Sequence, residues 1–200
     1  MSTREVAKKA VQRQISLAAL KLFQEKGFES ATIEDISTQV GMSVRTFFRY
    51  FRTKEDVLLG PARAFSDAFL EELGKQLQTN DLWTSLENAL GETARTCEKL
   101  GDADQSLQLQ QIVASTPNVL ARQLEVVERL QLQATEISIS SCAQAEALGR
   151  ATTDAIVRSA FACLRVVQCE YSDVQGAQAL KALHTLMGRL RPAILAETPE

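Results

Sequence analysis

The stretch TIEDISTQVGMSVRTFFRYF, residues 32–51, decides how this chain is read. Thr32 followed three residues later by Asp35 resembles a capping box, which satisfies free backbone N–H groups at a helix start and puts negative charge in its first turn. Ile33, Ile36 and Val40 recur at helical spacing and face inward, and Gly41 stops the helix. Met42 and Ser43 then form a tight turn, and Ser43 caps a further helix expected over 44–51. Two short helices, a glycine at the turn and inward apolar residues at Ile36, Val40, Val44 and Phe47 have the anatomy of a helix-turn-helix. With those positions filled by core, Ser43, Arg45, Thr46, Arg49 and Tyr50 are left on the outer face and N-terminal end of the second helix. A recognition helix meets the DNA major groove with that surface. For an isolated helix the same residues would be read as a solvated face, and it is the surrounding pattern that separates the two.

Upstream, Val11, Ile15, Ala18, Ala19, Leu22 and Phe23 line one face of a helix expected over 7–26, ended by Gly27. Downstream, a fourth helix is expected from residue 54 or 55 to about 78, with Gly60-Pro61 kinking it or delaying its start. Further helices are expected over 82–100, 103–115, 117–145, 149–171 and 174–190. They are separated by Gly101-Asp102, Thr116-Pro117-Asn118, Leu148-Gly149 and Ser172-Asp173. No long segment alternates with the period of a strand. The chain is therefore expected to be all-α with about nine helices: a three-helix N-terminal helix-turn-helix domain over 1–54, and a C-terminal helical bundle for ligand binding and dimerisation over 55–200. A continuous helix should join them.

Charge is divided along the same boundary. Residues 1–54 hold ten Lys/Arg against five Asp/Glu, and the remainder twelve against twenty, although the whole chain is only −3. A phosphate-binding surface thus belongs to the first quarter. No apolar run approaches the ~20 residues that span a bilayer, and the opening residues lack a signal-peptide core, so a cytoplasmic protein without membrane partners is expected. Cys97, Cys142, Cys163 and Cys169 have neither zinc-type nor CxxC spacing and are read as reduced and mostly buried. Motifs for a serine or metal hydrolase, a P-loop or a dinucleotide turn are absent, and the sole histidine, His184, is read as a packed or interface residue. No enzyme activity, cofactor or metal is expected. The rival reading is an α-helical small-molecule binding or scaffold protein without DNA binding, from which only the basic face separates a regulator.

Leu22-Phe23, Gly27-Phe28, Thr32-Ile33, Ile36, Gly41-Met42-Ser43, residues 46–51 and Lys54-Glu55-Asp56-Val57-Leu58 together closely resemble the DNA-binding domain of the tetracycline-repressor (TetR) family of transcription regulators. The match covers about a quarter of the chain. The resemblance implies phosphate contacts by Thr32, Tyr50 and Lys54, which set position, and base reading by Arg45, Thr46 and Arg49, with Ser43 at the helix start. Many members carry Tyr at the position of Phe48 and Gly at that of Arg45. Phe48 either touches a thymine methyl or packs in the domain core. Arg4, Lys8, Lys9 and Arg13 form either an additional DNA-contacting arm or solvated charge.

Usable specificity needs two such units on a pseudo-palindrome, hence a homodimer on double-stranded operator DNA. Small residues at Ala151, Ala155, Ser159, Ala160, Ala162 and Cys163, with an apolar stripe at Leu180, Leu183, Leu186, Met187 and Leu190, suit either an internal core or an interface. The resemblance favours the interface, with Ala155, Ser159, Ala160, Cys163, Leu183, Met187 and Leu190 in it. It also implies repression relieved by a small-molecule effector. Candidate pocket residues are Phe65, Phe69, Trp83, Leu86, Leu90, Leu109, Val113, Leu120, Leu124, Val127 and Phe161, with Arg122 or Arg165 for an anionic group. Residues 115–122 followed by a long helix resemble a C-terminal domain type of actinobacterial regulators that includes the acyl-CoA-responsive mycofactocin regulator. An apolar or acyl-CoA-like effector is the implied ligand, although Cys169 stands near where that type commonly has Trp.

Overall fold

The computed structural model describes the backbone of residues 3–100, 103–170 and 176–195, and the side chains of these apart from 3–6, 9, 98–100 and 103–107. Among the described residues every regular element is helical: α1 (Thr3–Lys26), α2 (Ile33–Val40), α3 (Val44–Phe47), α4 (Lys54–Gln76), α5 (Leu82–Leu100), α6 (Ala103–Ser115), α7 (Pro117–Ser141), α8 (Ala143–Leu148), α9 (Arg150–Glu170) and α10 (Gly176–Arg189), then a 3-10 turn at Ala193–Leu195. The all-α expectation holds. The described residues form ten α-helices against the expected number of about nine, because Cys142 takes extended backbone angles (φ −135°, ψ 113°) and divides the helix expected over 117–145. Gly60-Pro61 does not delay α4, which begins at Lys54 and continues through Pro61. The breaks expected at Gly101-Asp102 and Ser172-Asp173 lie outside the described residues.

Two compact units emerge, Met1–Arg63 with Asp102–Leu124, and Ala64–Gly101 with Glu125–Glu200. The first therefore extends past residue 54 and recruits a segment that the sequence placed in the second domain. The reason is packing: Val113 and Val119 are buried in the same core as Ile15, Ala19, Leu22, Phe23, Ile36, Phe47 and Phe51, and Leu109 and Ile112 pack against it. Within this unit Asp56, 3% exposed, holds Arg63 at 2.8 Å and Arg122 at 3.8 Å. Arg122 also donates to Thr53 Oγ1 (3.4 Å).

The second unit is built on Phe69, Leu73, Leu82, Trp83, Leu86, Leu90, Val157, Ala160, Leu183 and Met187. Trp83 is wholly buried, and its Nε1–H donates to the Met187 carbonyl at 3.1 Å, so the ring's one polar group is satisfied inside the core. Arg158 of α9 ties this unit together by donating to both Glu128 carboxylate oxygens (2.7 and 2.8 Å) and to Asp154 (2.7 Å).

Candidate nucleic-acid interface

The capping box expected at Thr32 is complete. Asp35 N–H donates to Thr32 Oγ1 (3.1 Å), and Thr32 N–H and Oγ1–H donate to Asp35 Oδ2 (3.1 and 2.9 Å). Lys26 adds a contact to Asp35 at 3.0 Å. The Thr32 backbone N–H, then Lys26, hold the Asp35 carboxyl down at about 2, from an ordinary 3.8. A folded-state value below the unfolded one contributes stability that is complete above pH 3.8 and disappears as pH falls through about 2. The stability advantage of the natural chain over Asp35→Asn, followed by urea midpoints, should therefore shrink from pH 4 towards 2. A difference independent of pH in that range would contradict the role given to the carboxylate.

Gly41 ends α2 at φ +76°, and its N–H and that of Met42 return to the Thr38 and Ser37 carbonyls (3.1 and 2.9 Å). A side chain at this left-handed position is strained, so glycine makes the turn. Ser43 then caps α3, accepting from Thr46 N–H at 3.1 Å. The helix expected over 44–51 is α-helical only through Phe47. Beyond it, Arg49 N–H bonds the Thr46 carbonyl (3.1 Å) and Tyr50 N–H the Phe47 carbonyl (2.8 Å), a tightening to three-residue turns.

This backbone buries Phe47 and Phe51 and leaves Arg45, Phe48 and Arg49 exposed together on one side, since positions three and four apart share a helix face. Arg45 has no hydrogen-bonding or ionic partner among the described residues. The Arg49 guanidinium lies 5.2 Å from the Tyr50 ring centroid and donates to its hydroxyl oxygen (3.1 Å), leaving the hydroxyl proton for an outside acceptor. Thr46 is half-buried, its Oγ1 2.8 Å from that of Ser43. Phe48 is 50% exposed, so core packing, one of its two readings, is not its role.

Lys54 has a different occupation from the phosphate contact that the resemblance implies. Its Nζ reaches the carbonyls of Phe28, Glu29 and Ala31 (2.8, 3.1 and 3.3 Å) and lies 4.5 Å from the Phe28 ring centroid. Three carbonyls match its three N–H groups, so it clamps the turn between α1 and α2. Lys8 and Arg13 are exposed on α1, while the side chains of Arg4 and Lys9 lie outside the described residues.

The thirteen expected pocket residues do not share one environment. Phe69, Trp83, Leu86, Leu90 and Phe161 are buried in the second unit's core, with Phe65 and Val127 packed against it. Phe65 stacks on Phe69 (centroids 6.2 Å, planes 3° apart), and Phe161 meets Phe69 edge-on at 5.2 Å. Leu109 and Val113 belong to the first unit's core, Leu120 and Leu124 are 36% and 46% exposed, Arg122 is engaged with Asp56 and Thr53, and Arg165 is exposed. Sequence reasoning missed a polar cavity of about 220 Å³ lined by Gln76, Asn88, Gly91, Glu92, Arg95 and His184. It is assembled from α4, α5 and α10, and nothing in any one segment marks it. His184, expected to be a packed or interface residue, is not packed within its own chain: it is exposed and pairs with Glu87 at 2.5 Å.

The expected interface set also divides. Ala155, Ser159 and Leu190 are exposed, whereas Ala160, Cys163, Leu183 and Met187 are 0–2% exposed within their own chain and cannot meet a partner. Residues 160 and 163 lie on the side of α9 that faces Leu183 and Met187 in the second unit's core. The expectation that the cysteines are mostly buried fails: only Cys163 is buried, which pushes its thiol up, while Cys97 and Cys142 are half-buried and Cys169 is exposed.

Comparison with known proteins agrees with this geometry. The family model described as "Bacterial regulatory proteins, tetR family" matches residues 15–60, which contain α2, the turn and α3. The HTH-type transcriptional regulator TcmR of Streptomyces glaucescens is 33% identical over 123 residues, 59% of this chain and 54% of TcmR. The chain spans about half the length of the curated relatives it matches. Two solved structures share the fold. A TetR-family regulator from Syntrophomonas wolfei superposes with TM-score 0.62 at 20% identity, covering 91% of this chain and 95% of that one. FadR of Thermus thermophilus, a TetR-family repressor in complex with lauroyl-CoA, gives 0.56 at 21% identity, covering 94% and 98%. In this chain, no described helix is long and apolar enough to cross a membrane. Residues 15–60 thus match the tetR-family model of bacterial regulatory proteins across the helix-turn-helix, and the chain shares its fold along most of its length with solved TetR-family structures.

Proposed function

We propose that the protein is a sequence-specific, homodimeric transcriptional repressor that leaves a palindromic operator when an apolar, acyl-type effector binds. The observation that carries the DNA-binding reading is the outward face of Arg45, Phe48 and Arg49, presented by a turn held by Gly41 and a helix capped by Ser43. Arg45 and Arg49 suit bidentate recognition of guanine O6 and N7, and the free hydroxyl proton of Tyr50 suits a phosphate oxygen. Thr32 contributes chiefly by capping α2, and Lys54 by holding the turn before it.

Dimerisation is assigned to the exposed side of α9. Ala151, Ala155, Ser159, Ala162, Val166 and Cys169 follow one another at intervals of three and four residues, and all are exposed. Small side chains there allow close helix approach, and exposed Leu190 adds apolar surface. The effector seat is assigned to the second unit's aromatic cluster around Phe65, Phe69 and Phe161, where separating the rings would admit a hydrocarbon chain. The lauroyl-CoA complex of the similarly folded FadR supports an acyl effector. Electrophoretic shift of the full chain on DNA upstream of its own gene tests the proposal. A discrete complex that a long-chain acyl-CoA dissolves is expected. Failure to form any complex would refute DNA binding, and a complex indifferent to acyl-CoAs of every length would refute the effector class.

A further inference from the structure

Phe48 is the one aromatic ring among the exposed large apolar side chains of the described residues. It stands on the same face as the exposed, charged Arg45 and Arg49. Its position is held: its N–H donates to the Val44 carbonyl at 3.1 Å, and its ring meets buried Phe47 nearly perpendicularly, planes 86° apart and centroids 5.8 Å. The ring thus rests against Phe47 on one side while the residue as a whole stays 50% exposed.

We infer that Phe48 is a specificity residue that recognises the C5-methyl group of a pyrimidine, thymine in ordinary DNA, at one position of each half-site. This rests on the DNA-binding reading above. In the major groove every hydrogen-bonding edge is polar, and the thymine methyl is the apolar group on offer. A phenyl ring cannot replace a hydrogen bond lost by the other base edges or by a phosphate, so such contacts would leave those groups unsatisfied. The methyl instead loses water against the ring, as the exposed part of the ring does.

The experiment selects duplexes for the full chain from a randomised library, then replaces each thymine of the best duplex in turn by deoxyuridine, which removes the methyl and nothing else. One position per half-site should weaken binding by roughly 3–10-fold, the scale of burying one methyl group. Phe48→Ala should bind thymine and deoxyuridine duplexes equally at that position, and 5-methylcytosine there should be favoured over cytosine by the natural chain. Tolerance of deoxyuridine at every position, or a variant that still discriminates, overturns the inference while leaving DNA binding intact. Selection of no duplex at all would instead overturn the DNA-binding reading and this inference with it. The thymine scan uses the unmodified protein, so tolerance of deoxyuridine at every position overturns the inference even if Phe48→Ala folds poorly, and Phe48→Leu then serves as the second variant for assigning the contact.

Discussion

Replacing Arg45 and Arg49 together by alanine is expected to weaken binding to the selected duplex by roughly 10²- to 10⁴-fold, with the thermal unfolding midpoint unchanged. Both side chains are exposed and neither belongs to a core cluster, so truncation removes no core packing. A bidentate arginine–guanine pair contributes ~1–3 kcal/mol of discrimination against the wrong base, and the two residues lie too close for their losses to add independently. The single variants should differ in kind. Arg49 is braced on Tyr50, so its loss also frees the Tyr50 hydroxyl that it now engages. Arg45 has no such brace among the described residues and pays more side-chain entropy on binding, so its replacement should cost less. Fluorescence anisotropy at several salt concentrations checks this. A loss of affinity equal on all sequences, with the salt slope reduced by about 1 for each arginine, would show phosphate contacts instead of base reading. Unchanged affinity would show that this is not the recognition face.

Ala162→Arg is the second change with a large expected effect: a monomer by sedimentation equilibrium, and operator affinity reduced to the sequence-independent level, roughly 10³-fold or more below the natural chain. Ala162 is exposed midway along the stripe Ala155, Ser159, Val166, so a charged side chain there costs the isolated subunit little and obstructs a close helix-to-helix contact. Two-headed binding depends on the partner, because a lone reading head contacts only a half-site. Ala160→Arg, two residues earlier, would not be an equivalent test. At 0% exposure Ala160 sits among Val157, Leu183 and Met187, so arginine there would disrupt the second unit's own core and remove folding with dimerisation. A dimer that persists in Ala162→Arg, with circular dichroism unchanged, would exclude this surface.

The contrast between residues 160 and 162 shows how far the sequence could be taken. Small residues at Ala155, Ser159, Ala160, Ala162 and Cys163 all suit a close helix contact, and composition does not say which side of α9 faces inward. Local signals were more informative where the interaction itself is local. The capping box of Thr32 and Asp35, the stop at Gly41 and the cap at Ser43 each join residues within a few positions, and each occurs as the sequence indicates. The exposure of Arg45 and Arg49 followed from them, because a short helix whose start is fixed by a cap and whose Phe47 is buried leaves little choice about which residues point out. The same logic fails at Cys142, where no cap or glycine announces the break, and at Lys54, whose three carbonyl partners lie 23 to 26 residues earlier.

By itself, the sequence determined the all-helical class, the helix-turn-helix with its basic outer face, and the resemblance of that segment to the TetR-family DNA-binding domain, since all rest on periodicity, capping and fixed short spacing. Tertiary structure decided what depends on the apposition of distant segments. It placed α6 and the start of α7 in the first unit through Val113 and Val119, and divided the expected pocket residues between two cores and the surface. It also turned Ala160 and Cys163 inward and left Phe48 half exposed. The physical reason is that a hydrophobic side chain is favourable against any apolar surface. Its spacing specifies the face it occupies on its own helix, whereas the chain's fold specifies which surface, if any, covers that face.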